Sequence, residues 1–175
     1  MIYPLERFKS LDTPFYYYDL ALLRNTLDTI KQIVKDKPNF VVHYAVKANA
    51  NPRILQIISQ TGFGADCVSG GEVQVAAENG FNPSQIVFAG VGKSDNEIRN
   101  ALTIGIHSFN VESIPELEAI NEIAMDMNTV ANVAFRVNPN VDAHTHAKIT
   151  TGLNENKFGI DIADVIPAIR MANSM

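Results

Sequence analysis

The segment Phe40-Val41-Val42-His43-Tyr44-Ala45-Val46, followed by Lys47-Ala48-Asn49-Ala50-Asn51-Pro52, decides the fold. Its first seven residues, rich in β-branched and aromatic side chains, read as a buried strand starting near residue 40. Asn51-Pro52 then supplies a helix N-cap and a proline suited to the first helical position. The same unit recurs downstream. Apolar strands are predicted to start near residues 40, 64, 86, 107 and 132, about 21–25 residues apart, each followed by a helical pattern. Ser69-Gly70-Gly71-Glu72, Ser94-Asp95-Asn96-Glu97 and Ser113-Ile114-Pro115-Glu116 each fit the Ser-x-x-Glu capping box just after a predicted strand.

Outward from this repeat, Leu20, Leu23, Leu27, Ile30 and Val34 make one apolar helical stripe that ends at Lys35-Asp36-Lys37-Pro38. Residues 14–18, Pro-Phe-Tyr-Tyr-Tyr, read as a short strand, and Asp161 to Ala172 as a further helix. Between them, residues 138–157 form a polar stretch, read as a long functional or disordered loop.

Strands alternating with helices predict right-handed crossovers and a parallel sheet. An open doubly wound sheet would often carry Gly-x-Gly-x-x-Gly after its first strand, and none is present. The pattern therefore favours an α/β fold of the TIM type: a partial (β/α)8 barrel with about five β/α units. A whole barrel takes about 250 residues, and this chain has 175. Residues 1–175 are thus expected to be the N-terminal part of a longer polypeptide, with the rest of the barrel beyond them. The alternative is a small complete α/β domain, which a sharp, monomeric, two-state melt of the 175-residue chain would favour.

Composition bounds the function. With 46% apolar and 19% charged residues, the chain is globular rather than disordered, collagenous or coiled-coil. No apolar run approaches the roughly 18 residues of a membrane span, and the first residues lack the pattern of a signal peptide. A net charge of −5 argues against a nucleic-acid partner. The single cysteine, Cys67, excludes an internal disulfide, so a cytoplasmic location is expected. Cys67 itself reads as a small buried hydrophobe.

Barrel active sites lie at the C-terminal strand ends. Lys47 sits there, either as a solvated lysine or as an amine in a low-dielectric mouth able to attack a carbonyl. Asp66 is either a turn carboxylate or a charge facing a partner in that mouth. Arg136, inside Val133-Ala134-Phe135-Arg136-Val137, needs a partner; a phosphate, a carboxylate, a cofactor ring or a structural glutamate would each serve. His43 and His107 read as core groups or supports for the site. His144 and His146 have the spacing of a metal pair on a strand but lack a third ligand, so no metal is expected. Gly92-Lys93-Ser94 looks like the end of a phosphate-binding loop, but Val87 stands where its first glycine belongs. The helix starts after Ser69, Ser94 and Ser113 are each candidate anion sites.

His43-Tyr44-Ala45-Val46-Lys47-Ala48-Asn49 resembles the Tyr-Ala-x-Lys-Ala-Asn signature of the alanine-racemase-like (fold type III) pyridoxal-phosphate decarboxylases. The resemblance continues in order through residues 64–72, Phe109-Asn110-Val111-Glu112-Ser113, Arg136-Val137-Asn138-Pro139 and His146-Ala147-Lys148-Ile149-Thr150-Thr151-Gly152, to Lys157-Phe158-Gly159. The last block resembles the branch acting on meso-2,6-diaminopimelate more than those acting on ornithine or arginine. The resemblance implies a pyridoxal 5'-phosphate enzyme, a carboxy-lyase of lysine biosynthesis that works as a homodimer on a small amino-acid substrate. It implies Lys47 as the Schiff-base lysine, Asp66 and Arg136 facing or buttressing the cofactor, and His146, Thr151 and Gly152 in a loop near the mouth. In such enzymes a C-terminal β-domain completes the protein. The 175 residues alone are therefore expected to be inactive and to hold the cofactor weakly. Ornithine, arginine or carboxynorspermidine decarboxylation, or a non-catalytic pyridoxal-phosphate carrier, are the alternatives.

Overall fold

The computed structural model describes residues 3–139 and 158–175. Short α1 (Leu5–Phe8) leads to α2 (Leu20–Val34), and then the β/α units follow. They are β1 (His43–Ala45), α3 (Pro52–Ser59), β2 (Gly64–Cys67), α4 (Gly70–Glu78), β3 (Ile86–Phe88), α5 (Asp95–Ile104), β4 (Ser108–Val111), α6 (Ile114–Asp126) and β5 (Val133–Phe135). The chain continues through β6 (Val137–Asn138), β7 (Ile160–Asp161) and α7 (Val165–Ser174).

The sheet is parallel throughout, in the order β1-β2-β3-β4-β5. Each strand is added on the same side of the last. Right-handed crossovers in one constant direction put every helix on one face of the sheet, which is how a barrel wall is built; a doubly wound sheet reverses direction. The register sorts the side chains accordingly. Val46, Ala65, Cys67, Ile86, Phe88, Phe109 and Val111 are buried in the core shared with the helices. The opposite face carries His43, Ala45, Gly64, Asp66, Val87 and Ser108, aligned strand to strand.

The α2 stripe packs as its spacing predicts, with Leu27 buried and Leu23 and Ile30 against the core. Asn51 caps α3 by accepting from the Arg53 N–H at 3.0 Å, with Pro52 opening the helix. Four expectations need correction. Residues 14–18 join no sheet among the described residues; Phe15 instead packs on Phe8 at a tilt and Tyr17 meets it edge-on. The strand expected from residue 40 begins at His43, because Phe40 is 64% exposed and Val41 63%, outside the helix-covered face. Asp161 belongs to β7, and the helix expected from it begins at Val165. His107 is exposed just before β4, and its backbone N–H donates to the Ile86 carbonyl at 2.8 Å.

Gly64 shows how tightly the inner face is drawn at its lower edge. A Cβ there would lie 2.3 Å from the Gln85 carbonyl oxygen and 2.4 Å from the His43 ring. His43 fills that space, and its buried Nε2 has no hydrogen-bond partner among the described residues. Burial, partly opposed by the nearby Asp66 charge, holds the imidazole below its ordinary value near 6.5. The unfolded chain then binds the proton more readily than the folded one. The stability from a neutral His43 is present in full above that ordinary value and is lost as pH falls through the folded one. Urea titrations should therefore show a larger loss of stability between pH 7 and pH 5 in the parent chain than in His43→Gln; parallel pH profiles would refute this.

Candidate active site

The candidate site is assembled at the C-terminal ends of the strands. After β1 the backbone tightens into a single 3-10 turn, Val46–Ala48, that carries Lys47. Val46 is fully buried beneath it. The Tyr44 hydroxyl donates to the Asn49 carbonyl at 3.1 Å, and the Asn49 side chain accepts from the Asn51 N–H at 2.9 Å. Tyr44 and Asn49 thus fix the two sides of the turn. Their presence in the signature has a physical reason: they hold still the backbone that presents Lys47.

Lys47, Asp66 and Arg136 line one open recess of about 850 Å³, together with Val68, the Ala89–Gly92 loop, Asn110, Glu112 and Phe158. Lys47 is exposed there rather than sunk in a low-dielectric pocket. Arg136 has found the structural glutamate: its Nη1 donates to both Glu112 oxygens, at 2.9 and 3.2 Å. Its guanidinium also lies over the Phe158 ring at 5.5 Å. Gly159 makes this contact possible. It adopts φ +99°, and a Cβ there would come within 2.7 Å of the Arg136 carbonyl oxygen, a combination only glycine tolerates. His144, His146, Thr151 and Gly152 lie outside the described residues.

The helix starts bear on how an anion could be held. Glu97 forms the reciprocal box with Ser94, accepting from its N–H at 3.0 Å, and its other oxygen accepts from the Gly70 N–H at 2.7 Å. These backbone donors hold its carboxyl below the ordinary range. At α4 and α6 the serine still caps, but the glutamate reaches one residue further back than a capping box requires. Glu72 accepts from Val68 N–H and Glu116 from Glu112 N–H, each at 2.8 Å. The starts of α4, α5 and α6 thus already face carboxylates of the chain itself. An anion at any of these starts would have one of these carboxylates as a neighbour. The recess does suit an aldehyde: Lys47 forms no hydrogen bond or ion pair with any described residue, and it shares the open lining with Asp66. Burial pushes the Cys67 thiol up to about 12, so it is no nucleophile at neutral pH.

Sequence reasoning missed Glu112, Asn110, Lys93 and the Gly90–Gly92 loop. The one available signal was Glu112 itself, an acid between apolar Val111 and a helix cap, positioned to meet an arginine on the next strand.

A parallel β/α wall with an amine, a carboxylate and a braced arginine gathered at its strand ends has the layout of a barrel active site. The chain belongs to the family described as pyridoxal-dependent decarboxylase, pyridoxal binding domain, whose model matches residues 22–175. It is 60% identical over 174 residues to the diaminopimelate decarboxylase of Bacteroides thetaiotaomicron, covering 99% of this chain and 45% of that protein. It resembles the crystal structure of Helicobacter pylori diaminopimelate decarboxylase complexed with L-lysine, with TM-score 0.84 and 41% identity over 97% of this chain and 43% of that one. The M. jannaschii diaminopimelate decarboxylase in co-complex with L-lysine gives the same TM-score at 40% identity, over 98% of this chain and 41% of that one. The chain spans less than half the length of these relatives.

The Arg136–Glu112 pair is unequal: the arginine side chain is 51% exposed and the glutamate side chain 3%. Removing the arginine strands a buried carboxylate, whereas neutralising the glutamate lets the arginine turn to water. Arg136→Met should therefore destabilise the chain by about 1–3 kcal/mol, and Glu112→Gln by clearly less. Denaturant titration of the two variants checks this; equal losses would contradict it.

Proposed function

We propose that residues 1–175 are the N-terminal, cofactor-holding part of a pyridoxal 5'-phosphate-dependent diaminopimelate decarboxylase, converting meso-2,6-diaminopimelate to L-lysine. The observation that carries this reading is the unpaired Lys47 amine at the end of β1, in a recess shared with Asp66 and Arg136. The 60% identity to a diaminopimelate decarboxylase supports the substrate. In this reading the rest of the barrel and a C-terminal β-domain complete the enzyme, which works as a cytoplasmic homodimer. No described helix is long and apolar enough to cross a membrane.

When bound, pyridoxal phosphate supplies an electron sink for the pair released as the substrate carboxylate departs. The chain's own tasks are to hold and orient. Lys47 would hold the aldehyde carbon covalently through its amine. The Tyr44–Asn49 brace keeps that amine at a fixed point on the rim. Asp66 presents a negative charge from the neighbouring strand. Arg136, braced by Glu112 and laid on Phe158, provides a fixed positive edge to the recess. His146, Thr151 and Gly152 are proposed for the substrate loop on the resemblance alone.

Borohydride reduction with excess pyridoxal phosphate, followed by peptide mapping, tests the first part. Pyridoxyl should appear at Lys47 in preference to the other lysines and vanish from that peptide in Lys47→Ala. A strong, stable absorbance band from the 175-residue chain alone would contradict the expected weak hold. A product assay with the complete polypeptide on meso-diaminopimelate, ornithine, arginine and carboxynorspermidine decides the substrate; lysine formed from the first is the expected result.

A further inference from the structure

Lys93 has no part in the site as described, yet it is the most completely enclosed charge at the recess. Its side chain is 1% exposed. The ammonium donates to the Gly90 carbonyl at 2.7 Å, the Asn110 carbonyl at 3.0 Å and Glu116 Oε1 at 2.6 Å. A lysine ammonium has three N–H donors, and all three are used. The Phe88 ring lies under it, 5.3 Å from Nζ. The second Glu116 oxygen accepts from the Glu112 N–H, and the Glu112 carboxylate holds Arg136. One unbroken chain of charge-assisted hydrogen bonds therefore runs from the loop after β3, through the end of β4, to the arginine on the strand after it.

We propose that Lys93 and Glu116 are the positioning pair of this recess, tying the Gly90–Gly92 loop to the segment that carries Asn110 and Glu112. The geometry has no slack. Gly90 adopts φ +103°, and a Cβ there would sit 2.9 Å from the Val68 carbonyl oxygen, so the loop lies directly on the end of β2. Its carbonyl accepts from the enclosed Lys93 ammonium. Val111, between Asn110 and Glu112, is fully buried. Fixing the Asn110 carbonyl and the Glu112 N–H on either side of it sets the direction of both side chains. Without the tie, the loop and the Glu112–Arg136 pair lose their common anchor. That the recess so positioned receives a pyridoxal cofactor rests on the proposed function; the tie itself does not.

The test uses the full chain. In the native parent protein, Lys93 should be acylated by an amine-reactive acetyl ester at least about 50-fold more slowly than Lys47, because reaction requires local opening; similar rates would overturn the proposal. Lys93→Met leaves Glu116 unpaired and risks misfolding, so the double variant K93M/E116Q, which strands no charge, carries the comparison. Hydrogen exchange of the Glu112 amide should rise about tenfold in the double variant, while the amides of Cys67 and Ile86 change less than about twofold. Pyridoxyl trapping at Lys47 relative to exposed Lys35 should fall about fivefold, as expected if loop and arginine share one anchor. A uniform rise in exchange marks an ordinary structural ion pair and overturns the proposal, as does unchanged exchange at Glu112. Absence of selective trapping at Lys47 in the parent chain instead sinks the cofactor reading, and the exchange measurement still decides the tie.

Discussion

The four crossovers that join β1 to β5 all run in the same direction, and the rest of the structure follows from that. With all helices on one face, the core is built from one set of alternate strand residues: Ala65 and Cys67, Ile86 and Phe88, Phe109 and Val111. The other set is released from packing against helices. It can hold His43, Asp66, Ser108 and Asn110, groups that a doubly wound sheet would have to cover on both sides. One topological choice therefore separates the residues that stabilise the chain from those free to do chemistry. It also gathers the latter at a single rim, since parallel strands end together.

That rim is held by carboxylates. Glu72, Glu97 and Glu116 each sit in the first turn of a helix and turn back to the strand end or loop before it. Glu97 also reaches across to the start of the neighbouring helix at Gly70. The favourable interaction of an acid with a helix N-terminus is here spent on fixing loops rather than on holding a ligand. This division of labour leaves Lys47 and Asp66 without hydrogen-bond partners among the described residues while the backbone around them is braced.

Much of this was legible in the sequence, for definite reasons. The repeat of strand, serine and glutamate is a local signal, and α4 to α6 start where it says, as α3 starts at Asn51-Pro52. Position alone left Lys47 open between a solvated lysine and an amine of the site; its role rests on the resemblance of the segment around it, and the structure adds that it is exposed and lines the recess. The errors arose where local pattern met tertiary context. Phe40 and Val41 have the composition of a buried strand but lie where no helix covers them. The aromatic run at residues 15–18 has strand propensity, yet it packs on α1 rather than pairing with the sheet. The partner of Arg136 was open in principle, since a glutamate 24 residues away is identified only once β4 and β5 are known to be neighbours. Lys93 was set aside because the phosphate-loop pattern around it fails at Val87; its actual partners are two carbonyls and a glutamate from separate segments.

Arg136 occupies an unusual place in the backbone. Its N–H donates to the Val111 carbonyl on one side, and its own carbonyl accepts from the Ile160 N–H on the other, at 2.9 and 2.7 Å. β5 and β6 are thus one continuous path that changes neighbours at a single residue. Sliding this path along either flank would break a bond on the opposite flank. The guanidinium therefore inherits its height above the sheet from two independent ladders, like a peg driven through two boards.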